Sequence, residues 1–217
     1  MKAHPVMTAS FPENLDGGIM ICGYNFGYSS EDEKNDQLGL TVDAETPSFF
    51  SDRTRNDTRF RNRLLTWLES WGKVLQVDTD KIGSFERSFF QTNWLDSQSS
   101  TISEDGISIN KLVDGSEGIL SLIESRRPRV ILFTGSLMIE ALNDIRIRKQ
   151  VEALLGARPG NAIVHHSETA TPGTKFKVLI QEFPKATVIS IPHVTGAMGV
   201  SDEYMAGFRR VLEIRLN

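Results

Sequence analysis

The chain has 217 residues, 39% hydrophobic and 24% charged, a make-up that allows a substantial buried core and fits one domain over residues 1–217. A formal net charge of −4 gives no general attraction for nucleic acid. No stretch approaches the roughly 18 apolar residues of a membrane helix, and Cys22, the only cysteine, excludes an internal disulfide or a cysteine-built metal centre.

The opening MKAHPVMTASFPENLDGG lacks the apolar segment of a secretory signal, so a cytoplasmic protein is expected. The first β-rich run, GIMICG at 18–23, stops at Gly-Tyr-Asn-Phe-Gly, with Asn25 near the middle of the turn. Glycines there let the backbone turn sharply and approach a ligand. The end of a strand in an α/β protein is where such folds bind things. Residues 28–55 have little periodicity and read as a long loop containing Phe49 and Phe50. An acidic stretch, EDEKND, lies inside it, and DRTRNDTRFRNR at 52–63 carries five arginines. If that segment is helical, Arg55, Arg59 and Arg63 share a face. The stripe suits phosphate contacts, or is a solvated face with local ion pairs.

RFRNRLLTWLESWG then reads as a helix with Leu64, Trp67, Leu68 and Trp71 on one face and Gly72 as its stop. RSFFQTN (87–93) is the second strand, ending in Asn93. SEGILSLIESRRP is a helix capped by Ser116 and closed before Pro128. RVILFTG (129–135) is the third strand, followed directly by a helix in GSLMIEALNDI with Ser136 as its cap. NAIVHHSETATPGTKFKVLIQEF (161–183) reads as a β-hairpin around Thr-Pro-Gly. His165 and His166 on it are expected to be structural or surface residues, with no metal site. TVISIPH (187–193) is the fourth strand, and SDEYMAGFRRVLEIRL a closing helix capped by Ser201. The near-continuous apolar strands alternating with helices predict a three-layer α/β/α sandwich. Its centre is a mostly parallel four-stranded sheet plus an added β-hairpin.

Asn25 in GYNFG, Asn93 in QTNW and His193 in PHVTGAMG, in this order at strand ends, resemble the motifs of the uracil-DNA glycosylase superfamily. The first motif is most similar to the Gly-x-Asn-Pro-Gly of its mismatch-specific and single-strand-selective branches, and RPRVILFTGSLMIEAL is similar to its strand–Gly–helix unit. The similarity runs over roughly residues 17–215 and is concentrated in these short blocks. Phe26 stands where the family has Pro, and His-Val-Thr replaces His-Pro-Ser.

The resemblance implies hydrolysis of the N-glycosidic bond of uracil or a related base flipped out of DNA, with no cofactor or metal and action as a monomer. It implies that Asn25 holds the attacking water through its amide oxygen and that Asn93 reads the base edge. His193 donates to the uracil O2 as charge develops there. Tyr24, Phe26, Phe49 or Phe50 stacks on the base, with Phe49 and Phe50 preferred, and Met198 wedges into the vacated stack. Two rival expectations stand beside this one. The same fold, with its altered motifs, is a base- or nucleotide-binding module without chemistry. Otherwise the chain is an α/β hydrolase of another small molecule, although it has no nucleophile elbow and no phosphate-cradling loop.

Overall fold

A computed structural model describes residues 4–27, 47–54, 57–96, 98–99, 106–169, 176–197 and 199–216. Its strands are β1 (Ile19–Gly23), β2 (Phe26–Gly27), β3 (Phe89–Asn93), β4 (Gln98–Ser99), β5 (Val130–Phe133), β6 (Ile163–His165), β7 (Val178–Glu182) and β8 (Thr187–Ser190). The helices are α1 (Pro12–Leu15), α2 (Arg59–Ser70), α3 (Ser84–Arg87), α4 (Ile109–Asp114), α5 (Ser116–Arg126), α6 (Ser136–Leu142), α7 (Arg148–Leu155), α8 (Asp202–Ala206) and α9 (Arg209–Leu212).

One six-stranded sheet runs in the order β3-β1-β5-β8-β7-β6. The first four strands are parallel. β7 and β6 add to β8 by antiparallel pairing, so the expected hairpin is built into the sheet itself and widens it from four strands to six. Every residue of β1 is buried, because both faces of the sheet are covered. Side chains alternate across it. Met20 and Cys22 join Ile119, Ile123, Met138 and Leu142 in a core beneath α4–α7. Ile19 and Ile21 join Leu64, Trp67, Leu68 and Leu212 beneath α2, α8 and α9. Together these make the three layers.

Local chemistry sets most helix ends. Thr58 starts α2 by accepting the Arg61 N–H on its hydroxyl, and Ser201 starts α8 the same way with Tyr204. Ser116 and Ser136 do not cap their helices: Gly115 and Gly135 hold the N-cap positions and the serines open the first turns. The closing helix divides into α8 and α9, because the Gly207 carbonyl accepts the Glu168 N–H at 3.1 Å instead of continuing the helical ladder. The outer edge of β3 is covered by residues 4–9. The Met7 N–H donates to the Gln91 carbonyl at 2.8 Å, and Thr8 bridges Ser48. No helix among the described residues is long and apolar enough to cross a membrane.

Candidate functional site

The carboxyl ends of the four parallel strands lie side by side, with Gly23 in register with Asn93 and Phe133 with Ser190. β3 and β5 flank β1 on opposite sides, so the chain reverses its direction of travel across the sheet at β1. Open α/β sheets place their ligand crevices at such a point. Past the sheet the main chains after β1 and β3 stay together. Trp94 N–H donates to the Gly23 carbonyl at 2.8 Å and Leu95 N–H to that of Tyr24 at 2.9 Å. β2 then pairs with β4. Asn25 is half-buried between β1 and β2.

Asn93 is 6% exposed. Its Oδ1 lies against Gly23, where a Cβ would collide with it, and its Nδ2 faces the Met7 sulfur at 3.9 Å. Among the described residues no nitrogen or oxygen pairs with this amide. Its backbone carbonyl, by contrast, accepts from His4 Nε2 at 2.7 Å. Sulfur is a weak acceptor, so the amide keeps most of its hydrogen-bonding capacity for a ligand.

His193 follows β8 and begins a tight turn. Ala197 N–H donates to its carbonyl at 3.1 Å, and Gly196 N–H donates to its Nδ1 at 2.7 Å. With Nδ1 acting as acceptor, the neutral ring carries its proton on Nε2. Burial pulls the imidazole below its ordinary pKa, which favours that neutral form. No partner for Nε2 occurs among the described residues.

The imidazole lies nearly parallel to the Tyr24 ring, with centroids 6.1 Å apart and planes 6° from each other. Tyr24 also crosses to β5. Its hydroxyl accepts the Leu137 N–H at 3.3 Å in the first turn of α6, and its ring occupies the space a side chain at Gly135 would need. Burial raises the Tyr24 pKa, so the phenol stays protonated. Contact is thus continuous from the Asn93 amide through Gly23 and Tyr24 to His193. By strand alternation Gly23 faces the α2 side and Tyr24 the α4–α7 side, so these groups straddle the crest of the sheet.

Several expected site residues have other roles. Phe50 is fully buried and stacks on Phe89 with centroids 5.8 Å apart. Phe89 begins β3, about 13 Å along the strand from Asn93, so Phe50 is a core residue rather than a base platform. Phe49 is 2% exposed and presents no open face, and Tyr24 spends its ring on His193 and Gly135. Of the expected arginine stripe, Arg59 and Arg63 lie on α2, which begins at Arg59. Arg55 precedes the helix and, like Met198, lies outside the described residues. Arg59 is exposed in the first turn of α2. Arg63 turns inward. Its Nη1 donates to the Val194 carbonyl at 2.6 Å, its Nη2 to that of Val200, and its Nε to Asp202 at 3.4 Å.

His4 and Met7, which reach Asn93 from 89 and 86 residues away, carry no local signal that marks them as its neighbours. The two cavities described, of about 460 and 510 Å3, lie elsewhere, beside α2 and between α5 and α7. No group of three or more His, Cys, Asp or Glu able to hold a metal occurs among the described residues. No protein-family model and no curated protein matches the chain.

Proposed function

We propose that the strand-end site binds a nucleobase and that the protein is a DNA glycosylase hydrolysing the N-glycosidic bond of uracil or a related base. One observation carries this reading: the Asn93 amide, held at a strand end with only the Met7 sulfur on its Nδ2 among the described residues, is linked through Gly23 and Tyr24 to an imidazole with Nε2–H free. The resemblance of the GYNFG, QTNW and PHVTG blocks supports it. A flipped ring lying over the crest at Gly23 offers uracil N3–H to Asn93 Oδ1 and O4 to Nδ2, at a flipping cost of a few kcal/mol. Nε2–H of His193 donates to O2. As C1′–N1 breaks, N1 keeps the electron pair and the developing charge on O2 strengthens that hydrogen bond. A water held by Asn25 forms the new bond to C1′ and loses its proton to solvent. Asn25 cannot itself take that proton, so its work is positioning.

Incubating the protein with single- and double-stranded oligonucleotides containing uracil, hypoxanthine or xanthine, then cleaving abasic sites with alkali, tests the chemistry. Strand cleavage dependent on the protein is expected. Its absence in every context removes the glycosylase reading.

A second reading is favoured by the arginines. Arg63 is spent internally and Arg61 is buried with Nη1 on the Asp52 carbonyl, which leaves thin electrostatic footing for DNA on a chain of net charge −4. On this reading the same site holds a free base or nucleotide without cutting it. A ligand-dependent rise in melting temperature with no product distinguishes it.

A further inference from the structure

The turn that carries His193 is held from a helix far away in sequence. Arg63 sits one turn into α2, and its guanidinium spans the turn like a fork. One arm takes the carbonyl of Val194, directly after His193, at 2.6 Å, and the other takes that of Val200. The third nitrogen reaches Asp202 at 3.4 Å, and the same Asp202 oxygen accepts from Trp67 Nε1 at 2.7 Å. Trp67 is one helical turn beyond Arg63, and the guanidinium lies 4.9 Å from its ring centroid. Trp67 is fully buried in the core under α2, so the fork stands on an immobile base.

Between the two arms lies the contact that decides the state of the imidazole. Gly196 N–H reaches Nδ1 at 2.7 Å only while the turn stays closed. Among the described residues, the span from 194 to 200 has few other ties. Ala197 N–H reaches the His193 carbonyl at 3.1 Å, and Val200 N–H reaches the Ala197 carbonyl at a long 3.4 Å. A bidentate planar group suits two carbonyls at fixed separation, whereas an ammonium is a point donor on a flexible stem.

We infer that Arg63 is the positioning residue of this site: by pinning Val194 and Val200 it keeps the Gly196 N–H on Nδ1 of His193 and so presents Nε2–H to the ligand. The link to catalysis rests on the glycosylase reading; the link to the ring's tautomer does not. Arg63 touches no substrate. Its effect reaches the ligand through the imidazole, and a displacement of about 1 Å at such a donor costs up to about 10²-fold in rate.

Nitrogen NMR of the imidazoles in the full-length chain, above the histidine titration, reads the tautomer without any substrate. In the unaltered protein His193 is expected as a single Nε2–H tautomer. In Arg63→Ala and Arg63→Lys the Nδ1–H form appears as a mixture, with the far-UV spectrum unchanged. If Arg63→Ala does not fold, Arg63→Lys and Arg63→Gln, which keep the stem but not the two-armed fork, carry the same test. A folded variant whose His193 stays wholly in the Nε2–H form overturns the inference, whatever the enzyme does. Where the unaltered protein excises a base, these variants lose about 10- to 10²-fold in kcat with KM little changed. A loss confined to KM also overturns it. Absence of excision in the unaltered protein refutes the glycosylase reading alone and leaves the tautomer result to decide the role of Arg63.

Discussion

The two ends of the site are built in opposite ways. At the end of β8 nearly everything around His193 is fixed. One ring nitrogen is filled by Gly196, the carbonyl by Ala197, one ring face by Tyr24, and both flanks of the turn by Arg63. At the end of β3 only the backbone of Asn93 is fixed, and its amide meets a sulfur and a glycine. The first is a donor aimed before the ligand arrives, which needs no reorganisation as charge develops. The second is a polar group with one weak contact to sulfur, left to be matched by the edge of a ligand. On the proposed glycosylase reading, chemistry falls to one end and recognition to the other.

The largest test of that division removes the aimed donor. His193→Ala is expected to lower single-turnover excision about 10²- to 10³-fold, the range seen for loss of one preorganised donor, with base-induced stabilisation nearly kept. Excision at the original rate sinks the assignment of His193. Next in size is Gly23→Ala. The added methyl meets Asn93 Oδ1, so the amide must move and the packing must strain. Overpacking of this kind costs about 1–3 kcal/mol, read from denaturant midpoints, and recognition should fall with it. An unchanged midpoint and unchanged recognition break the claim that Gly23 makes room for the amide.

The layers of this fold were legible because their signals are local. GIMICG and RVILFTG are apolar at successive positions, as strands covered on both faces must be, and Leu64, Trp67 and Leu68 recur at helical spacing. The strand ends at Asn93 and just before Asn25 and His193 were legible for the same reason. What those residues touch was not. Arg63 looks like a surface arginine because its partners, Val194 and Val200, are backbone carbonyls 131 and 137 residues away, and a carbonyl leaves no mark in a sequence. Of the expected stripe, Arg55 lies outside the described residues, and Arg59 and Arg63 share α2, which Thr58 starts. Phe50 failed for lack of tertiary information: an aromatic in a long loop looks the same whether it faces a ligand or stacks on Phe89.

A smaller effect, of opposite character, belongs to Asn93. Replacing a hydrogen-bonded buried amide usually costs stability, but this one has no nitrogen or oxygen partner among the described residues. Asn93→Leu, similar in shape, is therefore expected to leave the melting temperature little changed, since the only side-chain hydrogen bond it removes among the described residues is the weak one to the Met7 sulfur. Base-dependent stabilisation should vanish in the same variant. A clear loss of stability means that the amide already has a partner in the empty protein, and the contrast between the two ends fails.

The smallest effect sharpens the contrast through pH. Burial lowers the His193 pKa from its ordinary 6.5, so between 6.5 and the folded value the unfolded chain binds a proton that the native chain does not. Stability therefore falls as pH drops through that window. His193 adds no slope above 6.5, where both states are neutral, and its penalty is constant below the folded value. Burial also lowers the pKa of His165, and Arg215 and His166 add to this, so the unaltered protein carries two such contributions. Denaturant midpoints at about pH 7 and about pH 5 are expected to separate less in His193→Ala than in the unaltered chain. Asn93→Leu, which removes no titrating group, should keep the full separation. If Asn93→Leu also narrows it, the two ends are coupled in the empty protein, and recognition and donation cannot be assigned to separate residues.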